Sequence, residues 1–282
     1  MNTRLLSVLM SIYKNDDPIF FQEAMDSIWT DQTLKPDQII LIQDGDLPPN
    51  LVTIIDNWTE KLGDILILHK NRENMGLTKS LNAGLKYVNT KYIARMDSDD
   101  KSDPLRFERQ VEYLEQHPEI AILGGSICEI NEKGQSINVR TYPLNAQDSR
   151  KYIAKASPLA HPAVMMRQAI FESGLRYSEA YRTSQDIALW FDALKAGFKI
   201  ANTEDVVLYF RITESTFQRR NKNKAVNEFK IYMKGIKTIF GFSPKYLYPI
   251  SRLAFRMMPT KFIKLIYNNS VLRNRLLQKT NK

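Results

Sequence analysis

Three aspartates stand within four positions of the stretch YIARMDSDDKSDP at 92–104. Asp97, Asp99 and Asp100 come directly after an apolar run that is typical of a buried strand. Carboxylates this close repel one another and raise each other's pKa unless a cation, a hydrogen-bond donor or water compensates. Carboxylate oxygens suit Mg²⁺, which completes its coordination with water and substrate phosphate. The cluster therefore predicts a divalent metal beneath a diphosphate, and the alternative is a solvated turn with incidental aspartates.

Further polar residues follow other predicted elements. Tyr13 comes after the first strand-like run, Asp44 comes after the second, and Asp186 opens a later helical run. Ligands of open α/β sheets bind at the edge where the strands end. We therefore expect these side chains to meet the aspartate cluster at one edge of a sheet.

The elements that must position these residues are short apolar strands alternating with amphipathic helical runs. This alternation predicts α/β layers with a largely parallel sheet. The strands are expected at 5–13, 39–42, 65–68, 92–96, 120–130, 198–202 and 206–212, and the helices at 18–29, 76–88, 104–116 and 184–196. Asp17 before Pro18 has the pattern of an N-cap followed by proline in the first helical turn.

The charge of the chain is unevenly distributed. The 282 residues are 43% apolar and carry a net charge of +9, values compatible with a globular protein that buries a sizeable core. Residues 219–282 hold 16 lysines and arginines against one acid, Glu228, whereas residues 1–218 hold 24 basic against 30 acidic residues. The polar, basic stretch QRRNKNK marks the change of composition. We predict a catalytic domain at 1–218 and a basic helical tail at 219–282.

The location of the protein follows from what the sequence lacks. One cysteine, Cys128, cannot form an internal disulfide, and the N-terminal residues show no signal-peptide cleavage site. No apolar run approaches the ~20 residues needed to cross a bilayer. We expect a cytoplasmic protein, peripheral at the inner face of the cell membrane.

The tail interleaves its cations with apolar helical faces. Three such faces are predicted: Phe229, Tyr232, Met233, Ile236 and Phe240; Leu247, Ile250, Leu253 and Met257; and Phe262, Ile263, Ile266 and Tyr267. Helices of this kind lie in membrane interfaces with their cations near anionic head groups. The alternative is that the helices pack on the catalytic domain with a solvated basic face, and amphipathicity alone does not separate the two.

Seven segments in order resemble the motifs of the family 2 glycosyltransferases, which are inverting enzymes with the GT-A fold. They are SVLMSIYKND, ILIQDG, NMGLTKSLNAGL, YIARMDSDD, PLRFERQVEYLEQHPEIAILG, HPAVMMR and QDIALWF, spanning about residues 3–212. The chain is most similar to the bacterial members that build O-antigen and exopolysaccharide repeating units. The resemblance implies a Rossmann-like mixed sheet flanked by helices, preceding the basic amphipathic tail.

The resemblance also implies roles at the nucleotide-sugar donor. Tyr13 would pack on the nucleotide base, Asp44 would hydrogen-bond the base or ribose, and Asp97 would contact the ribose or donor sugar. Arg95 is a candidate to approach the phosphates, and the alternative is that it pairs with the aspartates and limits their repulsion. We expect a UDP-hexose, UDP-galactose or UDP-glucose, as donor.

The remaining roles concern the metal, the base and the acceptor. Asp99 and Asp100 are the candidates to bind Mn²⁺ or Mg²⁺, and the sequence does not choose between them. Asp186 falls where the family places its catalytic base, which removes a proton from the acceptor hydroxyl as that oxygen attacks the anomeric carbon. His161 is a candidate to line the site of a lipid-diphosphate-linked acceptor, or a structural hydrogen-bond partner. The chain departs from the family pattern at Gln43, Gln185 and Thr213, where acids and a histidine are usual.

Two other functions are weaker hypotheses. A sugar-phosphate nucleotidyltransferase would need a glycine-rich phosphate loop after the first strand, and SIYKNDDP contains no glycine. A nucleic-acid-binding protein would need a basic face with stacking aromatic residues or a recognisable module. Because residues 1–218 are net acidic, we expect no nucleic-acid partner.

Overall fold

A nine-stranded mixed sheet organises the part of the chain that the computed structural model describes, residues 4–181, 183–213 and 222–257. The strands are β1 Leu6–Ile12, β2 Gln38–Gln43, β3 Leu66–Lys70, β4 Tyr92–Asp97, β5 Lys101–Ser102, β6 Ile120–Ile130, β7 Ser136–Arg140, β8 Met165–Arg167 and β9 Lys199–Arg211. Their order is β3-β2-β1-β4-β8-β6-β9-β5, and β7 pairs with β6.

Helices cover both faces of this sheet. They are α1 Pro18–Ile28, α2 Pro49–Leu62, α3 Leu77–Gly84, α4 Arg106–Gln116, α5 Ala146–Tyr152, α6 Ala169–Glu172, α7 Gln185–Lys195, α8 Lys222–Phe240 and α9 Leu247–Met257. The Asp17 carboxylate accepts hydrogen bonds from the backbone N–H groups of Ile19 and Phe20, which confirms the predicted N-cap.

The half of the sheet that holds the predicted site is parallel. Strands β2 and β4 both pair in parallel with β1, and β3 continues this arrangement beyond β2. Buried aliphatic side chains fill β1 and β2 on both faces, as expected of central parallel strands. The carboxyl ends of β1, β2 and β4 therefore meet at one edge, which carries Tyr13, Asp44 and the aspartate cluster.

The other half mixes strand directions. Strand β8 is antiparallel to both β4 and β6, whereas β6 and β9 are parallel. The two short strands predicted at 198–202 and 206–212 form one strand, β9, because a register shift against β6 near Gly125 and Ser126 accommodates the intervening acidic residues.

Two apolar layers separate the sheet from its helices. One contains Phe21 of α1, Trp58 of α2 and Phe107 of α4. The other contains Leu81 of α3, Trp190 of α7 and residues of α8. The second layer holds the helix that carries Asp186 against the sheet.

Helices α8 and α9 extend the second layer. Tyr232 of α8 contacts Phe191 edge-on, with 5.6 Å between ring centroids. A Cβ atom at Gly235 would lie 2.3 Å from the Phe191 ring, so the close approach of α7 and α8 requires glycine there. The face predicted at 262–267 lies outside the described residues, and the division at 218 stays a prediction. No helix in the described part of the chain is long and apolar enough to cross a membrane.

Candidate active site

A cleft of about 240 Å³ opens at the carboxyl edge of the parallel strands. Its lining combines polar groups from the ends of β1, β2 and β4 with the loop that precedes α3: Ser11, Tyr13, Asp16, Asp44, Asn74, Gly76, Leu77, Asp97, Ser98 and Asp99. The structure thus brings together Tyr13, Asp44 and Asp97, as expected from their positions after strands of one sheet.

The three clustered aspartates converge. Carboxylate oxygens of Asp97, Asp99 and Asp100 all lie within 4.8 Å of one another. Asp100 is fully buried, and its Oδ1 accepts a hydrogen bond of 2.8 Å from the backbone N–H of Arg211. Burial, followed by the charges of Asp99 and Asp97, raises the pKa of Asp100 well above its ordinary value.

The cluster fits a divalent cation on the chemistry of its oxygens. Oδ2 of Asp100 is buried and has no hydrogen-bond partner in residues 4–181, 183–213 and 222–257. A buried carboxylate oxygen without a donor is costly, and a cation at this point would compensate it. Asp99 and Asp100 are the residues that would hold Mn²⁺ or Mg²⁺, which prefer oxygen ligands, and Asp97 lies beside them.

Two buried arginines offset part of this negative charge. Arg95 is ion-paired with Asp97, as in the alternative in which this arginine limits the repulsion among the aspartates. A contact of Arg95 with phosphate stays a prediction. Arg211 donates from Nε to the backbone oxygen of Asp99 at 2.9 Å and is ion-paired with Glu23. The sequence alone did not predict that Arg211 contacts the aspartates. Its position at the end of a predicted strand could have indicated that it lies at the same edge of the sheet.

Asp44 organises the loop that closes the cleft. Its Oδ1 accepts hydrogen bonds from Asn71 Nδ2 at 2.9 Å and Met75 N at 2.8 Å, and its Oδ2 accepts from Gly76 N at 2.9 Å. The next residue, Gly45, has φ +86°, and a Cβ there would lie 2.7 Å from a backbone nitrogen of the same loop. A direct bond from Asp44 to the nucleotide stays a prediction.

Asp16 is a second residue that sequence reasoning missed. Its Oδ2 accepts hydrogen bonds from Tyr13 N at 3.0 Å and Ser98 Oγ at 2.8 Å, so it ties the end of β1 to the aspartate cluster. Burial raises the pKa of Asp16 to about 7, with Asp99 and Asp97 adding to the shift and the two hydrogen bonds opposing it. Asp16 directly precedes the N-cap Asp17, so its position in the sequence indicates only the turn before α1.

Asp186 lies at the start of α7, beyond the lining of the cleft. Burial raises the pKa of its carboxyl, although backbone N–H groups at the helix start and the charges of Arg95 and Lys224 oppose the shift. Ser184 just before it has φ +61°, a left-handed conformation that costs a non-glycine residue about 1–2 kcal/mol. Strain of this kind is frequent at functional sites.

Tyr177 is close to both Asp186 and Asp97, and His161 contacts Tyr177. The raised pKa of Tyr177 has burial as its main cause, and Arg95, Asp186 and Asp97 are all close enough to influence it. His161 Nε2 lies 2.9 Å from the Tyr177 hydroxyl, and burial holds the pKa of His161 well below its ordinary value. His161 is therefore a neutral hydrogen-bond partner in this arrangement, and its contact with an acceptor stays a prediction.

Residues 7–175 match the family model described as Glycosyl transferase family 2. The chain is similar to the amylovoran biosynthesis glycosyltransferase AmsE of Erwinia amylovora, with 31% identity over 93% of this chain and 98% of that protein. It is also similar to an Escherichia coli UDP-Gal:alpha-D-GlcNAc-diphosphoundecaprenol beta-1,3-galactosyltransferase, with 30% identity over 96% of this chain and 98% of that protein.

Solved structures agree with these likenesses at the level of the fold. Staphylococcus aureus TarS in complex with UDP-GlcNAc matches with a TM-score of 0.66 at 15% identity, over 90% of this chain and 71% of that one. The mannosyltransferase PcManGT of Pyrobaculum calidifontis in complex with GDP-Man and Mn²⁺ matches with a TM-score of 0.66 at 13% identity, over 99% of this chain and 79% of that one. The GT-A fold predicted from the sequence is confirmed.

Proposed function

The chain belongs to glycosyl transferase family 2, and from that membership and the geometry of the cleft we propose that it transfers a hexose from a UDP-sugar to a lipid-linked sugar acceptor with inversion. The enzyme is a glycosyltransferase. The aspartate cluster supports the finer proposal. Two of its residues, Asp97 and Asp99, line the cleft, and a buried oxygen of Asp100 lacks a protein donor among the described residues.

The donor occupies the cleft in this proposal. Tyr13 packs on the uracil base, and the loop held by Asp44 closes over the nucleotide. Asp97, oriented by its ion pair with Arg95, receives the ribose or the donor sugar. UDP-galactose and UDP-glucose are the proposed donors, supported by the UDP-Gal that the E. coli relative's name specifies.

Asp99 and Asp100 hold Mn²⁺ or Mg²⁺ in this proposal. When bound, the cation supplies a positive charge to the diphosphate leaving group. Arg211 keeps the two aspartates in place, because its backbone binds the Asp100 carboxylate and its side chain binds the Asp99 carbonyl. The Mn²⁺ in the PcManGT complex supports the choice of a divalent cation, not the choice of its ligands.

Asp186 acts as the base. A carboxyl whose pKa is raised by burial is a stronger proton acceptor than an exposed one, as general-base catalysis requires. In this proposal the acceptor hydroxyl approaches the anomeric carbon from the side of Asp186, opposite the leaving diphosphate, and Arg95 is close enough to Asp186 for its charge to affect that carboxyl. The strained backbone at Ser184 sets the direction of this helix start.

The acceptor proposed is a sugar on a diphosphate lipid, at the cytoplasmic face of the membrane. The diphosphoundecaprenol-linked acceptor in the name of the E. coli relative supports it, as does the basic composition of residues 219–282. The pathway is then synthesis of O-antigen or exopolysaccharide, and His161 is a candidate to line the acceptor side.

Three single variants separate the proposed roles. Asp99→Asn and Asp100→Asn should weaken metal-dependent donor binding and turnover together, whereas Asp186→Asn should bind donor nearly normally and transfer at least ~10²-fold more slowly. Asp64→Asn removes an exposed carboxylate after α2 and serves as the matched control. UDP-hexoses and GDP-mannose are compared by calorimetry, and transfer is assayed on a synthetic sugar-diphosphate-lipid.

The outcomes discriminate between the roles. Near-normal transfer by Asp186→Asn would place the base elsewhere, for example at Asp148 or Asp192. Loss of donor binding by that variant would assign Asp186 to the nucleotide site. Unchanged donor affinity in excess chelator would exclude a metal role for the cluster.

A further inference from the structure

The last described helix, α9, packs on α8 through Pro249, Arg252 and Leu253 and leaves other apolar side chains exposed to solvent. Arg252 and Arg256 contact the two carboxylate oxygens of Glu228 on α8, at 2.9 and 2.6 Å. Leu247 is 67% exposed and Ile250 is 47% exposed. A helix that packs on a soluble domain buries most of its large apolar residues, and α9 does not.

Helix α8 shows that ordinary orientation. Ile231, Tyr232 and Ile236 are buried against the catalytic domain, whereas Lys230 and Lys237 are exposed. Of the two alternatives drawn from the sequence, packing with a solvated basic face therefore describes α8. It does not account for the exposed apolar side chains of α9.

Helix α9 and the turn before it leave several large apolar side chains exposed, and we call this set the α9 face. It consists of Phe242, Leu247, Ile250, Phe255 and Met257, with exposed fractions between 42% and 107%. Phe242, the most exposed of them, stands in the turn between α8 and α9. Several exposed apolar side chains on one short segment are typical of a site that contacts a protein, a ligand or a membrane.

The excess of positive charge in residues 219–282 favours an anionic membrane among these partners. Glu228 is the one acid of residues 219–282, and both of its oxygens already bind arginines, so the α9 face belongs to a segment with a large excess of cations. Residues 258–282, which follow the helix directly in the sequence, add six lysines and arginines and no acid. An anionic bilayer offers acyl chains to the apolar residues and phosphates to the cations at the same time.

We propose that the α9 face inserts into the acyl boundary of an anionic membrane surface, with α9 lying in the membrane plane. This inference rests on the proposed use of a lipid-linked acceptor and names the surface that meets the lipid. At 1.5 Å per residue the helix is about 16 Å long, too short to cross a bilayer and suited to lie along one.

The position of α9 relates the membrane to the acceptor side of the enzyme. Helix α9 runs back along α8, because Arg252 and Arg256 reach Glu228 near the beginning of that helix. Lys224, one turn before Glu228, is close enough to Asp186 to affect its ionisation. The end of α9 and the candidate base therefore both lie near the beginning of α8.

Vesicle binding of the full chain tests this surface. Ile250→Glu with Phe255→Glu places two charges on the α9 face, and Ile137→Glu with Val139→Glu places the same charges on exposed apolar positions of β7. Binding is measured by co-sedimentation with phosphatidylcholine vesicles that contain or lack phosphatidylglycerol. We expect the wild type and the β7 variant to bind the anionic vesicles equally, and the α9 variant to bind them at least about tenfold more weakly.

Three results would overturn the proposal. The first is equal binding by the two double variants. The second is a loss of self-association in the α9 variant, seen by sedimentation velocity, which would make the face a contact with a second copy. The third is a lower unfolding temperature of the α9 variant alone with unchanged vesicle binding, which would mean that residues 258–282 cover the face. Vesicle binding needs no donor, so failure of the proposed sugar transfer would leave this test intact.

Discussion

Replacement of Asp16 by asparagine should change how stability depends on pH. The amide oxygen of the introduced asparagine can still accept the hydrogen bonds from Tyr13 N and Ser98 Oγ, but the variant has no charge at this position. In the wild type, burial raises the pKa of Asp16 from 3.8 to about 7 in the folded protein. The folded state therefore binds this proton more tightly than the unfolded state, and stability falls as the pH rises between these two values.

The size of this effect follows from the shift. One pKa unit corresponds to about 1.4 kcal/mol, so a shift of about three units sets an upper limit of about 4 kcal/mol above pH 7. Asp16 lines an open cleft whose water screens part of the charge, and we expect roughly half of that limit. The Asp16→Asn variant should thus match the wild type near pH 4 and exceed its free energy of unfolding by roughly 2 kcal/mol at pH 8.

Urea denaturation of both proteins at pH 4, 6 and 8 in chelator measures this difference. Asp100 and Asp186 also have raised pKa values, but they contribute equally to both proteins and cancel in the comparison. Asp64→Asn, at an exposed site, should show no pH-dependent difference from the wild type. A difference between Asp16→Asn and wild type that stays constant over this range would refute the reasoning.

Two further predictions concern the metal and the docking of α8. UDP and Mn²⁺ should each tighten binding of the other by at least about tenfold in calorimetry, because diphosphate oxygens supply part of the coordination shell. Asp100→Asn should abolish this coupling. Full coupling in that variant would show that Asp100 is not a metal ligand. Gly235→Ala should lower the free energy of unfolding by about 2 kcal/mol in urea denaturation, because its Cβ would meet the Phe191 ring at 2.3 Å. The control, Thr238→Ala on the exposed side of α8, should change the free energy of unfolding little. Equal stability of the two variants would show that α8 does not pack on α7 in solution.

Local sequence patterns determined the elements whose physics is local. Asp17 and Pro18 predicted the start of α1, since an N-cap needs only backbone N–H groups two and three residues away. The apolar run at 120–130 predicted β6 with its observed bounds. The sequence also predicted which edge of the sheet carries the site. Asp97, Asp99 and Asp100 were expected to lie close together, because all three stand at the end of the same strand.

Long-range packing decided what these patterns left open. Arg211 reaches Asp100 across 111 positions of sequence, so its role appears only when β9 joins the sheet. Asp16 contacts Ser98 across 82 positions for the same reason. Helical periodicity predicted that the tail has apolar faces, but it specifies only their spacing. Periodicity does not tell whether such a face is buried, as in α8, or exposed, as in α9. That depends on contacts such as those of Arg252 and Arg256 with Glu228, which exist only in the tertiary structure.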